Sequence, residues 1–184
     1  FQSQGITKEW HPFTVSSAPS ARQLTLSMKT SGDWTQTLDQ LVIGSTAKIE
    51  GPYGRFSYTC LPKDNLDYVF VAGGIGITPL HSMIAELLAQ SSQKKITLLY
   101  SARTVEDFAF KAEFDQLAAT HTNFKLVYVT GRIDQACVQK EVVELLRQHY
   151  FICGPKPMMK ATVQCLHNLT IANKQIHFEE FALN

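Results

Sequence analysis

The sequence holds no apolar run near the ~20 residues that a membrane-spanning helix requires, so no stretch of it reads as a transmembrane segment. It has no block of lysines or arginines, and its formal net charge is only +1. A nucleic-acid partner calls for a basic stripe, so that class is set aside. The four cysteines, Cys60, Cys137, Cys153 and Cys165, form no C-x-x-C pair, and the six histidines are scattered. Such spacing excludes the common zinc patterns and predicts free thiols in a reducing compartment. No secretory leader pattern is visible. Phe1 stands where Met would start a gene product, which predicts a fragment or a processed chain. What is present is an ordinary globular composition, 45% hydrophobic and 18% charged over 184 residues. That is enough for one domain or two small ones.

The most informative stretch is Val69-Phe70-Val71-Ala72-Gly73-Gly74-Ile75-Gly76-Ile77-Thr78-Pro79-Leu80. Tyr68 to Val71 read as a buried strand. A glycine turn follows, and Thr78-Pro79 suit a cap and a first helical position. Leu80, Met83, Ile84, Leu87 and Leu88 then share one helical face. Strand, glycine turn and helix together offer backbone N–H groups and a positive helix end to a phosphate. Gly74 and Gly76 are expected to let the backbone approach a pyrophosphate. Pro79 stands where the usual dinucleotide fingerprint has its third glycine, so a plain βα turn is the alternative.

Residues 1–63 read as β. A strand is expected over Leu24 to Met28, a brief helix over Thr35 to Leu41, and a strand at Ala47 to Glu50, stopped by Gly51-Pro52-Tyr53-Gly54. So few strands predict part of a small antiparallel barrel whose opening strands lie before Phe1. Leu61 to Asn65 is turn-rich and marks the boundary with residues 66–184. There, strands at Ile96–Tyr100, Lys125–Val129, Tyr150–Cys153 and Gln175–Phe181 alternate with helices opening at Thr104, running near Gln139–His149, and from about Pro157 to Leu166. The alternation predicts an α/β unit with a parallel sheet and ligands at the carboxyl ends of its strands. Ser101, Arg103, Arg132, Cys153 and Gly154 fall at those ends. An NAD site commonly has an acid after the second strand. Arg103 and Arg132 instead suit a phosphate, which favours NADPH over NADH. A solvated or ion-paired arginine is the alternative for either.

Five motifs occur in order: Trp10-His11-Pro12-Phe13-Thr14, Gly32-Asp33-Trp34-Thr35, Gly51-Pro52-Tyr53-Gly54, Phe151-Ile152-Cys153-Gly154-Pro155, and Glu179-x-Phe181. With the glycine turn they resemble the ferredoxin–NADP reductase superfamily across nearly the whole chain. His-Pro-Phe-Thr and Gly-Asp-Trp-Thr resemble the dehydrogenase domains of the NADPH oxidase and ferric reductase group. The resemblance implies FAD in the first half and NADPH in the second. His11, Pro12, Phe13 and Thr14 match the flavin signature, with Thr14 at the isoalloxazine. Many relatives carry an arginine in place of His11. Gly32, Asp33, Trp34 and Thr35 match the loop for the FAD pyrophosphate. Gly73, Gly74, Gly76, Thr78 and Pro79 match the nucleotide turn, and Cys153, Gly154 and Pro155 the segment near the nicotinamide. Phe181 matches a C-terminal aromatic that stacks on the flavin, and Glu179 an acid beside it. Three residues continue past Phe181, where that aromatic often ends the chain. Core packing is the alternative for Phe13, Trp34, Cys153, Phe178 and Phe181, and a plain turn histidine for His11.

The resemblance further implies haem in a membrane domain of the same parent chain as electron acceptor, oxygen or ferric iron as final acceptor, and a place on the cytoplasmic side of that membrane. A soluble oxygenase reductase component, and a nucleotide-binding regulatory module without turnover, are the alternatives.

Overall fold

The structure is a computed structural model that describes residues 2–3, 10–30 and 32–179. Phe181 lies outside the described residues.

Among the described residues, seven strands and five α-helices follow one another, joined by short 3₁₀ turns. Strand β1 (Gln2–Ser3) pairs antiparallel with β2 (Ala47–Lys48). Between them lies the short helix α1 (Asp33–Gln36). The remainder is a five-stranded sheet of β3 (Asp67–Gly73), β4 (Ile96–Ala102), β5 (Phe124–Thr130), β6 (Gln148–Cys153) and β7 (Ile176–Glu179). Its spatial order is β5-β4-β3-β6-β7, and every pairing is parallel. Helices α2 (Ile77–Ala89), α3 (Lys111–Thr120), α4 (Gln135–Glu141) and α5 (Lys156–Asn168) make the crossovers.

The period of two along each strand splits the core into two layers. Phe70, Ala72, Leu98, Tyr100, Phe151 and Cys153 face α2 and α3. Val69, Val71, Leu99, Tyr150 and Ile152 face α4 and α5. The stripe expected on α2 is buried throughout, from Leu80 to Leu88. A sheet covered on both faces needs apolar residues at successive positions, which is why these strands read as continuous apolar runs.

Several expected boundaries move, each for a local reason. The N-cap of α2 is Gly76, not Thr78. The Thr78 hydroxyl donates back to the Ile75 carbonyl at 3.1 Å from inside the first turn. Helix α3 starts at Lys111 rather than Thr104, because Phe108 turns into the core and Phe110, left-handed at φ 59°, stacks on His81 at 4.2 Å. The helix expected near Gln139–His149 is α4, which begins at Gln135. The Asp134 carboxylate accepts from the Cys137 N–H at 2.8 Å and sets its start. Gln148 and His149 belong to β6, paired with Asp67 and Tyr68. The strand expected over Leu24–Met28 shrinks to one bridge between Val15 and Leu26. Its side chains find no sheet to pack on, and Leu24 is 54% exposed.

Candidate functional site

Because the strands run parallel, β3, β4, β5 and β6 all end on one edge, where an open α/β sheet holds its ligands. Two thirteen-residue helices begin there, α2 after Gly76 and α5 after Pro155. Their positive ends adjoin, since a side chain on Gly76 would meet the Cys153 carbonyl at 2.4 Å and the Gly154 Cα at 2.6 Å. A side chain on Gly73 would meet Met158 and Pro155. Gly76 thus has a structural reason to be glycine beside the ligand approach expected of it. Gly76 is needed so that the glycine turn and the Cys153-Gly154-Pro155 segment can touch. Gly74 is the open position, left-handed at φ 52° with nothing within 4 Å of where a side chain would start.

The ends of β4 and β5 are tied as well. The Ser101 hydroxyl donates to the Gly131 carbonyl at 2.5 Å, and the Gly131 N–H donates to the Ala102 carbonyl at 2.9 Å. Arg103 and Arg132 follow this tie directly and are both exposed. No motif of the sequence marks Tyr100, yet its hydroxyl reaches the Gly74 carbonyl at 3.2 Å. No motif marks Met158 either, which lies beside Gly73 and Gly154. Both read as plain core residues, and only their neighbours in space mark them.

Cys153 is fully buried at the end of β6. Burial, with the Glu179 carboxylate nearby, pushes its thiol up to about 12. It is therefore a neutral thiol at physiological pH, as a non-nucleophilic positioning role requires. Glu179 pairs with it across β6 and β7, and burial raises the Glu179 carboxyl above its usual range. A side chain on Gly54 would come within 3.3 Å of that carboxylate, so the Gly51–Gly54 loop of the first half abuts the edge of the sheet. Phe178 is 52% exposed, which removes the core reading for it.

In the first half, the structure brings His11, Phe13 and Trp34 together. The His11 ring stacks on Trp34 at 3.7 Å, and Phe13 lies at 5.6 Å from the same indole. Gly32 is left-handed at φ 85°, beside open space, and is the N-cap of α1. The Thr35 hydroxyl donates to the Gly32 carbonyl at 3.1 Å. Pro12 and Asp33 are exposed, and Thr14 is half-buried. The Trp34 indole nitrogen is buried without a hydrogen-bond partner among the described residues. A buried N–H lacking an acceptor is costly. It fits a site completed by a polar ligand, as the open Gly74 beside two helix N-termini fits a pyrophosphate.

The oxidoreductase NAD-binding domain family matches residues 70–164, just over half the chain, and an FAD-binding domain family matches residues 3–57. The chain belongs to the ferredoxin–NADP reductase superfamily. NADH-cytochrome b5 reductase 1 of Dictyostelium discoideum is 30% identical over 85% of this chain and 60% of its own length. Ferric reduction oxidase 8 of Arabidopsis thaliana is 36% identical over 54% of this chain and 15% of that protein. The FAD/NAD-binding domain of nitric oxide dioxygenase from Vibrio cholerae superposes with a TM-score of 0.85 at 21% identity, over 98% of this chain and 81% of that one. The chain spans about half the length of the curated relatives it matches. The two matched families are an FAD-binding domain and the NAD-binding domain of oxidoreductases, which together cover most of the chain. Among the described residues, no helix is long and apolar enough to cross a membrane.

Proposed function

We propose that the chain passes a hydride from NADPH to FAD, and that its parent protein delivers the electrons to haem in a membrane domain of the same chain, with oxygen or ferric iron beyond. The module would then work on the cytoplasmic face of that membrane, residues 1–63 holding FAD and residues 66–184 the nucleotide. Bound FAD takes two electrons from a reduced nicotinamide and releases them singly. The observation that carries the reading is the shared floor of Gly73, Gly76 and Gly154, which places two helix N-termini beside a buried, neutral Cys153. The NADPH oxidase and ferric reductase subtype draws support from the His11–Thr14 and Gly32–Thr35 motifs and from the ferric reduction oxidase relative.

Each residue has a part in this reading. Gly74 and the start of α2, with Thr78 and Pro79, would take the nucleotide pyrophosphate. Ser101 braces the strand ends, so that Arg103 and Arg132 would meet the 2′-phosphate. Cys153, with Gly154 and Pro155, would orient the nicotinamide while keeping its own proton. Trp34, Gly32, Asp33 and Thr35 would hold the FAD phosphates. Pro12, Phe13 and Thr14 would lie along the flavin. His11, stacked on Trp34, would order that loop rather than replace an arginine at the phosphates. Glu179 and Phe181 would border the flavin, and hydride transfer there depends on orientation and water exclusion.

The test is anaerobic. The chain is loaded with FAD, and the flavin absorbance is followed on adding NADPH or NADH. Faster bleaching by NADPH is expected, with Arg103→Ala and Arg132→Ala each lowering the preference by about tenfold. Bleaching by NADH alone would sink the phosphate assignment. Nucleotide binding without bleaching would leave the regulatory-module reading standing.

A further inference from the structure

We propose that Tyr100 is a positioning residue for the nucleotide, whose hydroxyl locks the glycine turn after β3 and the loop after β4 into a single cradle. The inference rests on the reading above that this edge binds a dinucleotide. It adds a residue that lies outside every motif of the sequence.

The ring of Tyr100 is fully buried and wedged against Phe108, whose ring meets it edge-on at 4.9 Å. Its hydroxyl donates to the Gly74 carbonyl at 3.2 Å and accepts from the Ala109 N–H at 3.1 Å. Gly74 belongs to the turn with room beside it. Ala109 closes the loop that leaves β4 through Arg103. One oxygen therefore joins the two segments expected to hold the pyrophosphate and the 2′-phosphate.

The orientation of the turn follows from the same contact. The Gly74 carbonyl also accepts from the Ile77 N–H, so both of its lone-pair directions are used. The peptide between Gly74 and Ile75 is planar and trans. Fixing its carbonyl therefore fixes the Ile75 N–H on the opposite side. A left-handed Gly74 followed by right-handed residues gathers successive N–H groups on one concave side, an arrangement that receives anions. Burial pushes the Tyr100 hydroxyl up to about 12, so it stays protonated and able to donate at physiological pH.

The variant is Tyr100→Phe, which keeps the ring and removes both hydrogen bonds. Tyr128→Phe is the control. It removes a hydroxyl from the neighbouring strand that, among the described residues, bonds to Lys111 and Asp115 of α3. Two quantities are read on the purified chain: dissociation constants of NADPH and NADH by calorimetry with FAD present, and amide exchange without nucleotide. Tyr100→Phe is expected to weaken both nucleotides by about tenfold alike, since the turn would meet the pyrophosphate they share. It should also speed exchange at Ala109 and Ile77 by roughly tenfold or more. Tyr128→Phe should move neither. Unchanged exchange at Ile77 in Tyr100→Phe would overturn the proposal, as would equal weakening by the two variants. If the natural chain binds neither nucleotide, the dinucleotide reading fails, while exchange at Ile77 still decides whether Tyr100 locks the turn.

Discussion

The two halves of the molecule are held in different ways. From Asp67 to Glu179, strands and helices enclose two apolar clusters, with Phe70, Tyr100, Phe114, Tyr150 and Phe151 essentially fully buried. Among described residues 10–63, Ser16 alone is buried, while Leu24, Val42, Ile43, Ile49 and Tyr53 are more than half exposed. The first half is fastened by Phe56, Tyr58 and Leu61, which pack on the sheet's core, and by a row of polar contacts along α2. His81 Nδ1 lies 2.6 Å from the Ser16 carbonyl and donates to it. The Ser82 hydroxyl donates to the Ser17 carbonyl at 2.7 Å, and the Ser20 N–H donates to Glu86 at 2.8 Å. Such bonds contribute about 0.5–1.5 kcal/mol each, whereas one buried phenylalanine contributes about 1.5–3. The nucleotide half therefore encloses its own core, and the flavin half leans on it through a few apolar side chains at its end and through directional bonds that a few substitutions can cut.

The contrast can be broken most severely from the core. Phe151 stacks on Phe70 at 5.3 Å and meets Phe56 of the first half edge-on at 5.7 Å. Phe151→Ala should cost about 3–5 kcal/mol in urea unfolding. Both tryptophans, Trp10 and Trp34, lie in the first half, so their fluorescence reports that half while far-UV circular dichroism reports the sheet. The two signals should be lost together in Phe151→Ala. A tryptophan signal that outlasts the dichroism would show a first half that stands alone.

Next comes Gly76→Ala. Its Cβ would lie 2.4–2.6 Å from the Cys153–Gly154 backbone, which has no flexible tip to move aside. Overpacking of this kind costs about 1–3 kcal/mol. Calorimetry should show nucleotide binding lost well before the fold is. A smaller effect is expected from Glu86→Ala, about 1 kcal/mol. It should fall on one half, with tryptophan fluorescence melting ahead of the dichroism and protease cutting within residues 17–30. Coincident melts would mean that the polar row along α2 is not what joins the halves.

The smallest expected effect is acid sensitivity. Burial, reinforced by His149, holds the His177 imidazole below its usual 6.5. The folded state thus prefers it neutral, and the unfolded chain binds the extra proton. Stability should be full above pH 6.5 and decline as the pH falls below it. His177→Gln should flatten the decline in a melting-temperature series. Asp64 and Glu86 act the same way but lower. Burial works upward on Asp64, but its bonds from His149 and the Leu66 N–H prevail. Bonds from Ser20 hold Glu86 down.

Much of the nucleotide half can be read from the sequence, because its strands are buried on both faces and its helices carry apolar stripes. Local chemistry was harder. Thr78 looks like a cap, but the turn before it already winds as a 3₁₀ helix, so the cap passes to Gly76. The apolar residues after Glu141 imitate a helix, yet Gln148 and His149 are drawn into the sheet by Asp67 and Tyr68. Tyr100 and Glu86 could not be found at all, since what marks them is a contact with residues far away in the chain. The first half gave motifs but little pattern, in keeping with a segment that buries almost nothing of its own.

The central position of β3 has a consequence for folding. Asp67 pairs with Gln148 and Ala72 with Cys153, and Gly76 rests on Gly154. The glycine turn can fold locally, but its floor arrives only when the chain has been made as far as Pro155. Closing so long a loop is a late and slow event. During synthesis the turn and the first crossover helix must wait with an apolar strand edge uncovered. A chain halted before β6 would carry the whole glycine motif and hold no nucleotide. In this protein the recognisable signature is made first and the surface it depends on is made last.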